Sequence, residues 1–513
     1  MVTVQGTAYT VRVFDTTNEV KSANNLVRML KTVIKVVEDE WGVIVIAVMS
    51  DCSGESRSAR SILVRERPDL VAPDCYSHQI NLVVGNYLNS HVWFFIYAEK
   101  ADKLLIADSN LYASGTSSSH VKTREMVPIV QDALFWHSLA RIKNHLEPLA
   151  IAANVTQGAR CRLDQVLLTF GFLFLHFSLL DDGDDSDACQ KVIDSLEMRW
   201  GKADQEVFIA AVILNPYHKI NPFHPLPIFT HANIYALLCR LWGHFYGTSF
   251  TVPLSLHTEL RKYFAGTGFY ASLQTYMKSL DDLAIAKGNV PDPLEVWNGF
   301  TFSGMEPPPL IRLAIRILSI CANSASCERL FSTLGLILTK LRTRMGTSLL
   351  IDFVELKMHL RDAQKHKQIK ERLRRHFGKL KEKSQSSRDT APVPTQTVPA
   401  PTTTAAGPST QGQDDNHSGA NSMRNISTTL SRMVDTDLDN PDSRSFSSKI
   451  TVTLHSLFNM TSTYWLDSHA RSSVQSLADE LEVYELLDLD GEGELAEGPE
   501  IDSDDVAAAL LDE

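Results

Sequence analysis

The sequence predicts an α/β opening unit, an all-α body and a disordered C-terminal tail. Three observations predict this. Apolar runs of β-forming residues alternate with helically spaced ones up to about residue 90, and helical spacing dominates from Val121 to Phe377. Past Lys383 the apolar residues give way to Ser, Thr, Pro, Gln and Gly.

The opening unit reads as β-α-β-α-β. Ala8 to Asp15 alternates apolar and polar residues, Asn24 to Glu40 carries Leu and Val at helical spacing, and Val43 to Met49 is an unbroken apolar run. Ser50-Asp51-Cys52-Ser53-Gly54 breaks that run, Ser53 is placed to cap a helix through about Glu66, and Asp69 to Cys75 is a short extended segment. The apolar helix His78 to Tyr87 follows. This order implies a parallel sheet covered by helices.

The body is helical over Met126–His145, Leu163–Leu180, Ala188–Trp200, Val207–Leu214, Ala232–Tyr246 and Ser255–Tyr263. Asn215-Pro216 and Asn221-Pro222 are stops, because proline lacks a donor and restricts its predecessor. Helical stretches resume over Pro307–Ile320, Ser326–Arg342 and Leu349 to about Phe377. From Lys383 to about Ser418 the chain cannot bury enough apolar area to offset ordering entropy. A weak apolar patch, Ile450 to Leu466, precedes an acidic end.

Composition sets the outer bounds. At 513 residues the chain exceeds a single core, and 44% apolar with 21% charged residues is the balance of a soluble globular protein. No run of 18 apolar residues is present, and Met1 to Arg12 lacks the pattern of a signal peptide. The seven cysteines are scattered with no C-x-x-C pair, which argues against a disulfide framework or a zinc ribbon. The net charge of −12 is uneven: Asp479 to Glu513 holds fifteen acids and no Lys or Arg, leaving residues 1–478 at +3. Lys357 to Lys383 holds eleven Lys and Arg against three acids, either a phosphate-binding stretch or a solvated helix face. The motifs of α/β-hydrolases, P-loop proteins and dinucleotide-binding enzymes are absent.

Three motifs, in order, carry a family resemblance. Ser50-Asp51 followed by CSGESRSARSIL, with DCYSHQINLVV from Asp74 to Val84, resembles the hAT superfamily of DNA transposases. VFIAAVILNPYHKI (Val207 to Ile220) is similar to that family's apolar run ending in D/N-P-x-x-K. DPLEVW (Asp292 to Trp297) with SICANSASCERLFSTLGLILTKLRTRM (Ser319 to Met345) resembles its C-terminal dimerisation segment.

The resemblance implies an incomplete RNase H-like mixed sheet with a large helical insertion. On this reading residues 1–120 are a partial RNase H-like domain, 121–290 the insertion, 291–365 the dimerisation region and 366–383 a basic helix end. Residues 384–449 are a disordered linker, and 450–513 a mostly disordered acidic tail. By the same resemblance Asp51 and Glu328 take the second and third catalytic carboxylate positions, with Cys75 and His78 near the site. Family catalysis uses two Mg²⁺ ions about 4 Å apart, held by converging carboxylates, to activate the attacking oxygen and stabilise the leaving one. The first acid has no clear counterpart. Asp15 and Glu19 are the only acids at a strand end before Asp51, and the family's strand order puts Asp15 roughly 14 Å from Asp51. Where the family has a tryptophan beside an arginine, Gly158 to Asp164 reads Arg160-Cys161.

Each residue also has a plainer reading. Asp51 suits a helix cap, Glu328 a surface partner for an arginine on its own helix, and Cys75-x2-His78 a buried thiol with a helix-start contact rather than half a zinc site. Trp136, Trp200, Trp242 and Trp297 read as core aromatics. For dimerisation the candidates are Trp297, Ser324, Arg329, Leu330, Phe331, Leu334, Ile337 and Leu341, and for nucleic acid Lys365, Lys367, Lys370, Arg372, Arg374 and Arg375. The expected function is a catalytically degenerate, transposon-derived protein of the nucleus that forms a homodimer or higher homo-oligomer and binds DNA. The alternatives are an active Mg²⁺-dependent DNA transposase and a nuclear adaptor whose acidic tail recruits a protein partner.

Overall fold

The computed structural model describes residues 1–4, 7–14, 16, 19–89, 96–97, 100–101, 128–158, 161–180, 185–247, 251–287, 291–337, 349, 352–353, 356–357 and 451–465. These residues are mostly helical, with one two-stranded sheet.

The expected strand at Ala8–Asp15 shortens to β2 (Thr7–Tyr9), which pairs antiparallel with β1 (Val2–Val4). It is therefore part of a local hairpin, since Val2–Val4 lies closer in sequence than any parallel partner. The parallel pairing expected further on is present in short form. The Val48 N–H donates to Val71 O at 2.9 Å, Val71 N–H to Ile46 O at 3.0 Å and Cys75 N–H to Ser50 O at 3.1 Å, giving parallel bridges Ala47↔Val71 and Ser50↔Asp74. The crossover between the two segments is α2 (Gly54–Glu66), capped by the Ser53 side chain. Helix α1 (Ala23–Trp41) packs on α2, and Ile34, Val48, Leu63 and Leu70 form a small core between them and the strands. Gly42 ends α1 at φ 63°, a conformation glycine adopts at little cost.

Helix α3 (Tyr76–Leu88) leads into the main core. The body is formed by α4 (Ala133–Gln157), α5 (Leu163–Leu179), α6 (Ser186–Gly201), α7 (Gln205–Leu214), α8 (His231–Tyr246) and α9 (Ser255–Ala265). Expected and observed spans differ most at α4, which runs on through Pro148 to Gln157. Burial of Leu149, Ile151 and Ala152 beyond the proline offsets the missing backbone bond. Every residue of α7 is buried, which explains its lack of amphipathic spacing.

Four further helices follow: α10 (Leu273–Lys287), absent from the sequence reading, α11 (Pro293–Asn298), α12 (Pro309–Leu318) and α13 (Ala325–Ile337). Helix α12 rests on α7, α9 and α11.

The weak apolar patch is a structural piece of the body. Residues 451–465, with α14 (Leu454–Leu457), lie against α5, and Leu454, Leu457, Phe458 and Trp465 are buried in the main core. The Trp200 and Trp465 indoles donate to Val452 O and Pro222 O, and Glu197 accepts from the N–H groups of Leu454 and His455. Gly171 on α5 makes room for this strap: a Cβ there would lie 2.7 Å from Trp465 and 2.9 Å from Phe458. Among the described residues no helix is long and apolar enough to cross a membrane.

Candidate functional site

Asp51 sits just past the end of the strand at 46–50, where the chain turns into α2. Its side chain is exposed and accepts a hydrogen bond from Ser53 Oγ at 3.1 Å. Beside it, Asp74 ends the neighbouring strand segment, paired with Ser50. Two arginines on α2 meet these strand ends. Arg60, only 3% exposed, donates to Ser50 Oγ, to Ser50 O at 3.1 Å and to Asp51 O at 2.8 Å, and forms an ion pair with Asp74. Arg57 Nη2 lies 3.8 Å from the other Asp74 oxygen. Cys52 Sγ accepts from Gln79 Nε2 at 2.9 Å, and Gln79 Oε1 from Arg199 Nη1 at 2.8 Å. Burial pushes the Cys52 thiol far up, so it remains protonated.

The third motif meets this corner through Cys75. Its Sγ lies 2.9 Å from Ser77 Oγ and accepts the Ser324 N–H at 3.3 Å, while the Tyr76 N–H donates to Ala322 O at 3.0 Å. Ser324 O in turn accepts from the Cys327 N–H at 2.8 Å as α13 begins. Asn323 braces the same junction, donating to Thr156 O and Gly158 O at the end of α4 while its Oδ1 accepts the Ala325 N–H. Those carbonyls belong to a helix end with no intrahelical donor for them.

Magnesium can be tested against these groups. A hard dication needs converging carboxylates. Asp74 is committed to Arg60, Asp51 to Ser53, and the exposed Glu328 carboxylate has no polar partner among the described residues. No group of three His, Cys, Asp or Glu side chains is placed to hold a metal among the described residues. Among the described residues the carboxylates do not converge on a two-metal centre. Asp15 lies outside the described residues, and Glu19 is paired with Arg28 at 2.7 Å. His78 is half-buried on α3, and Cys75 is occupied as above.

The N-P-x-x-K motif proves to be a docking bracket. Asn215 Nδ2 donates to the fully buried Asp164 at 2.7 Å, Asn215 Oδ1 accepts the Tyr217 N–H, and Arg162 reaches both Asp164 and, at 3.7 Å, Asp292. Lys219, at φ 53°, places its ammonium 4.7 Å from the Tyr263 ring centroid. Ile213 O and Leu214 O, the last carbonyls of α7, accept from Tyr263 OH and the Trp297 indole. GARCRLD, NPYHK and DPLEVW therefore share one network, which spacing along the sequence did not reveal.

The dimerisation candidates divide. Trp297 is 0% and Leu330 3% exposed, both inside the protomer, and Arg329 ties α13 to Gln157 O at 3.2 Å. Phe331, by contrast, is 62% exposed. Beyond it Leu349, Phe353 and Leu356 are also exposed, at the i, i+4, i+7 spacing of one helix face. Residues 272–351 match the hAT family C-terminal dimerisation region. The match likens this segment of the chain to the dimerisation region of hAT proteins. No curated protein matches the chain. The hAT region spans α10 to α13 and includes Phe331 and Leu349. The side chains of Leu334 and Ile337, Leu341, and the basic candidates Lys365, Lys367, Lys370, Arg372, Arg374 and Arg375 lie outside what is described.

Proposed function

We propose that this chain is a transposon-derived, catalytically degenerate hAT protein whose working activity is self-association. The observation that carries this reading is the hAT dimerisation match together with exposed Phe331, Leu349, Phe353 and Leu356. Apolar side chains at helical spacing, left in water by the protomer, are what a helical interface uses. At the Asp51 corner the neighbouring Asp74 is paired with the buried Arg60 guanidinium. An RNase H-like ancestry is supported by the α2 crossover between parallel segments, with Asp51 after the first of them.

DNA binding by Lys357 to Lys383, in the nucleus, completes the proposal. The test is the mass of the full chain by light scattering across a dilution series. The expected result is twice 57.2 kDa, with Phe331→Asp plus Phe353→Asp shifting the population to monomer. A monomer at every concentration overturns the reading. Retention on duplex DNA that weakens steeply with salt supports the basic stretch, and salt-independent or absent retention removes it.

A further inference from the structure

Residues 451–465 are held by the body in the way a receptor holds a peptide. Gln205, buried at the start of α7, donates from Nε2 to Val452 O at 3.0 Å and accepts the Val452 N–H on Oε1 at 2.9 Å. A side-chain amide thus pairs with the segment's backbone as a neighbouring strand would. The Trp200 indole donates to the same carbonyl at 2.7 Å, and the two Glu197 oxygens accept the Leu454 and His455 N–H groups at 2.9 and 3.0 Å. Further along, the His224 N–H donates to Leu457 O at 2.9 Å, and Pro222 O accepts the Asn459 N–H at 3.0 Å and the Trp465 indole at 2.9 Å. Between these backbone contacts Leu454, Leu457, Phe458 and Trp465 are buried anchors, and Gly171 forms the floor beneath the two aromatic ones. The segment, TVTLHSLFNMTSTYW, carries no Asp, Glu, Lys or Arg.

The groove walls are packed against one another as well as against the segment. Helix α5 packs on α4, α6 and α7, Gln205 also donates to Trp200 O at 3.2 Å, Trp200 meets Phe208 edge-on at 6.1 Å, and Phe223 stacks on Phe229 at 4.6 Å. The segment reaches these walls from far along the chain: its side-chain-mediated hydrogen bonds to the body span 243 to 258 positions. Before it, Lys383 to about Ser418 has the composition of a linker rather than of a packed element. We propose that α5, α6, the start of α7 and residues 222–224 form a peptide-binding groove, with 451–465 as its tethered ligand. The recognised pattern is a neutral V-x-L-x-x-L-F-x6-W peptide. The segment leaves and rebinds without unfolding the body, and stabilises it by mass action while docked. Its tether keeps it at a high effective concentration, so the groove is filled by the chain's own copy. Neither the dimer reading nor the DNA reading enters this inference.

The experiment uses the full chain with a protease recognition sequence inserted between residues 384 and 418 and cut after folding. The C-terminal piece is expected to stay with the body through gel filtration. An excess of synthetic peptide 451–465 is expected to displace it while the body remains folded by circular dichroism. Competition against a labelled copy of that peptide then ranks variants. Val452→Pro in the peptide removes the N–H that Gln205 Oε1 accepts and is expected to weaken binding about tenfold, and Trp465→Ala about thirtyfold or more. Both changes are in the peptide and leave the fold of the body untouched. A piece that separates at once from a folded body, or a body that unfolds when the piece is lost, overturns the proposal. So does a piece that excess peptide never displaces, or a Trp465→Ala peptide that competes as well as the unaltered one.

Discussion

The backbone N–H of Ser324 donates to the Cys75 sulfur at 3.3 Å, joining positions 249 apart in the sequence. This one bond ties the start of α13 to the end of the parallel layer. Cys75→Ala removes the acceptor and some packing at a fully buried site, and is expected to cost about 1–2 kcal/mol. Cys75→Ser, which keeps an acceptor, costs less. Urea midpoints check both, and equal midpoints for the two variants would remove the bond from the account.

The strap is expected to be structural. Trp465→Ala or Phe458→Ala is expected to lose about 3–5 kcal/mol, because each empties a buried aromatic site. Gly171→Val, with its branches directed at those rings, should expel the strap without altering it. Limited proteolysis reads the effect: new cleavage in α5 or α6 is expected in all three variants, and unchanged fragments in Gly171→Val would contradict the packing.

Arg60 and Asp74 form a pair that is costly to break on one side alone. Arg60→Met leaves a mostly buried carboxylate without its nearest cation and is expected to cost about 3–5 kcal/mol. Adding Asp74→Asn to that variant should restore much of the loss. If the double variant is no better than the single, the ion pair does not account for the effect.

Millimolar Mg²⁺ is expected to leave the melting temperature of the full chain unchanged, since a site that bound it would stabilise the folded state by mass action. Asp51→Asn, at an exposed side chain, should likewise shift stability by less than about 0.5 kcal/mol. A Mg²⁺-dependent rise in melting temperature that disappears in Asp51→Asn would reinstate the metal site.

Burial lowers the pKa of His145, His218 and His244 below the ordinary 6.5. His145 is held by Tyr87 OH at 2.8 Å and lies 3.6 Å from Asp185, whose charge opposes the burial without cancelling it. In the unfolded chain these rings take up protons near pH 6.5, while the folded chain resists until lower pH. Stability is therefore fully present above 6.5 and falls as the pH drops through and below it. Denaturant midpoints from pH 8 to pH 5 check the slope, which His145→Gln should flatten; a midpoint that rises on acidification would reverse the sign.

Much of the helical body was legible because amphipathic spacing and proline stops are local properties. Leu163–Leu180 and Val207–Leu214 fall almost on the observed α5 and α7. The Asp51 corner was legible only as a position. Arg57 and Arg60 are ordinary surface-type residues in a sequence, and nothing local says that α2 folds them onto Asp74. Trp297 illustrates the same limit: its motif marks the hAT region, while its burial depends on α7 ending with a free carbonyl at Leu214.

The sequence by itself determined where helices form, where the chain turns into low-complexity composition, and which family its third motif resembles. All of these depend on residues within a few turns of one another. The tertiary structure decided what those elements touch. It returned residues 451–465 to the core, closed β1 on β2 and committed Asp74 to an arginine. Each outcome is a competition among partners distant in sequence, resolved by the apolar surface and backbone polar groups that only the assembled fold brings together.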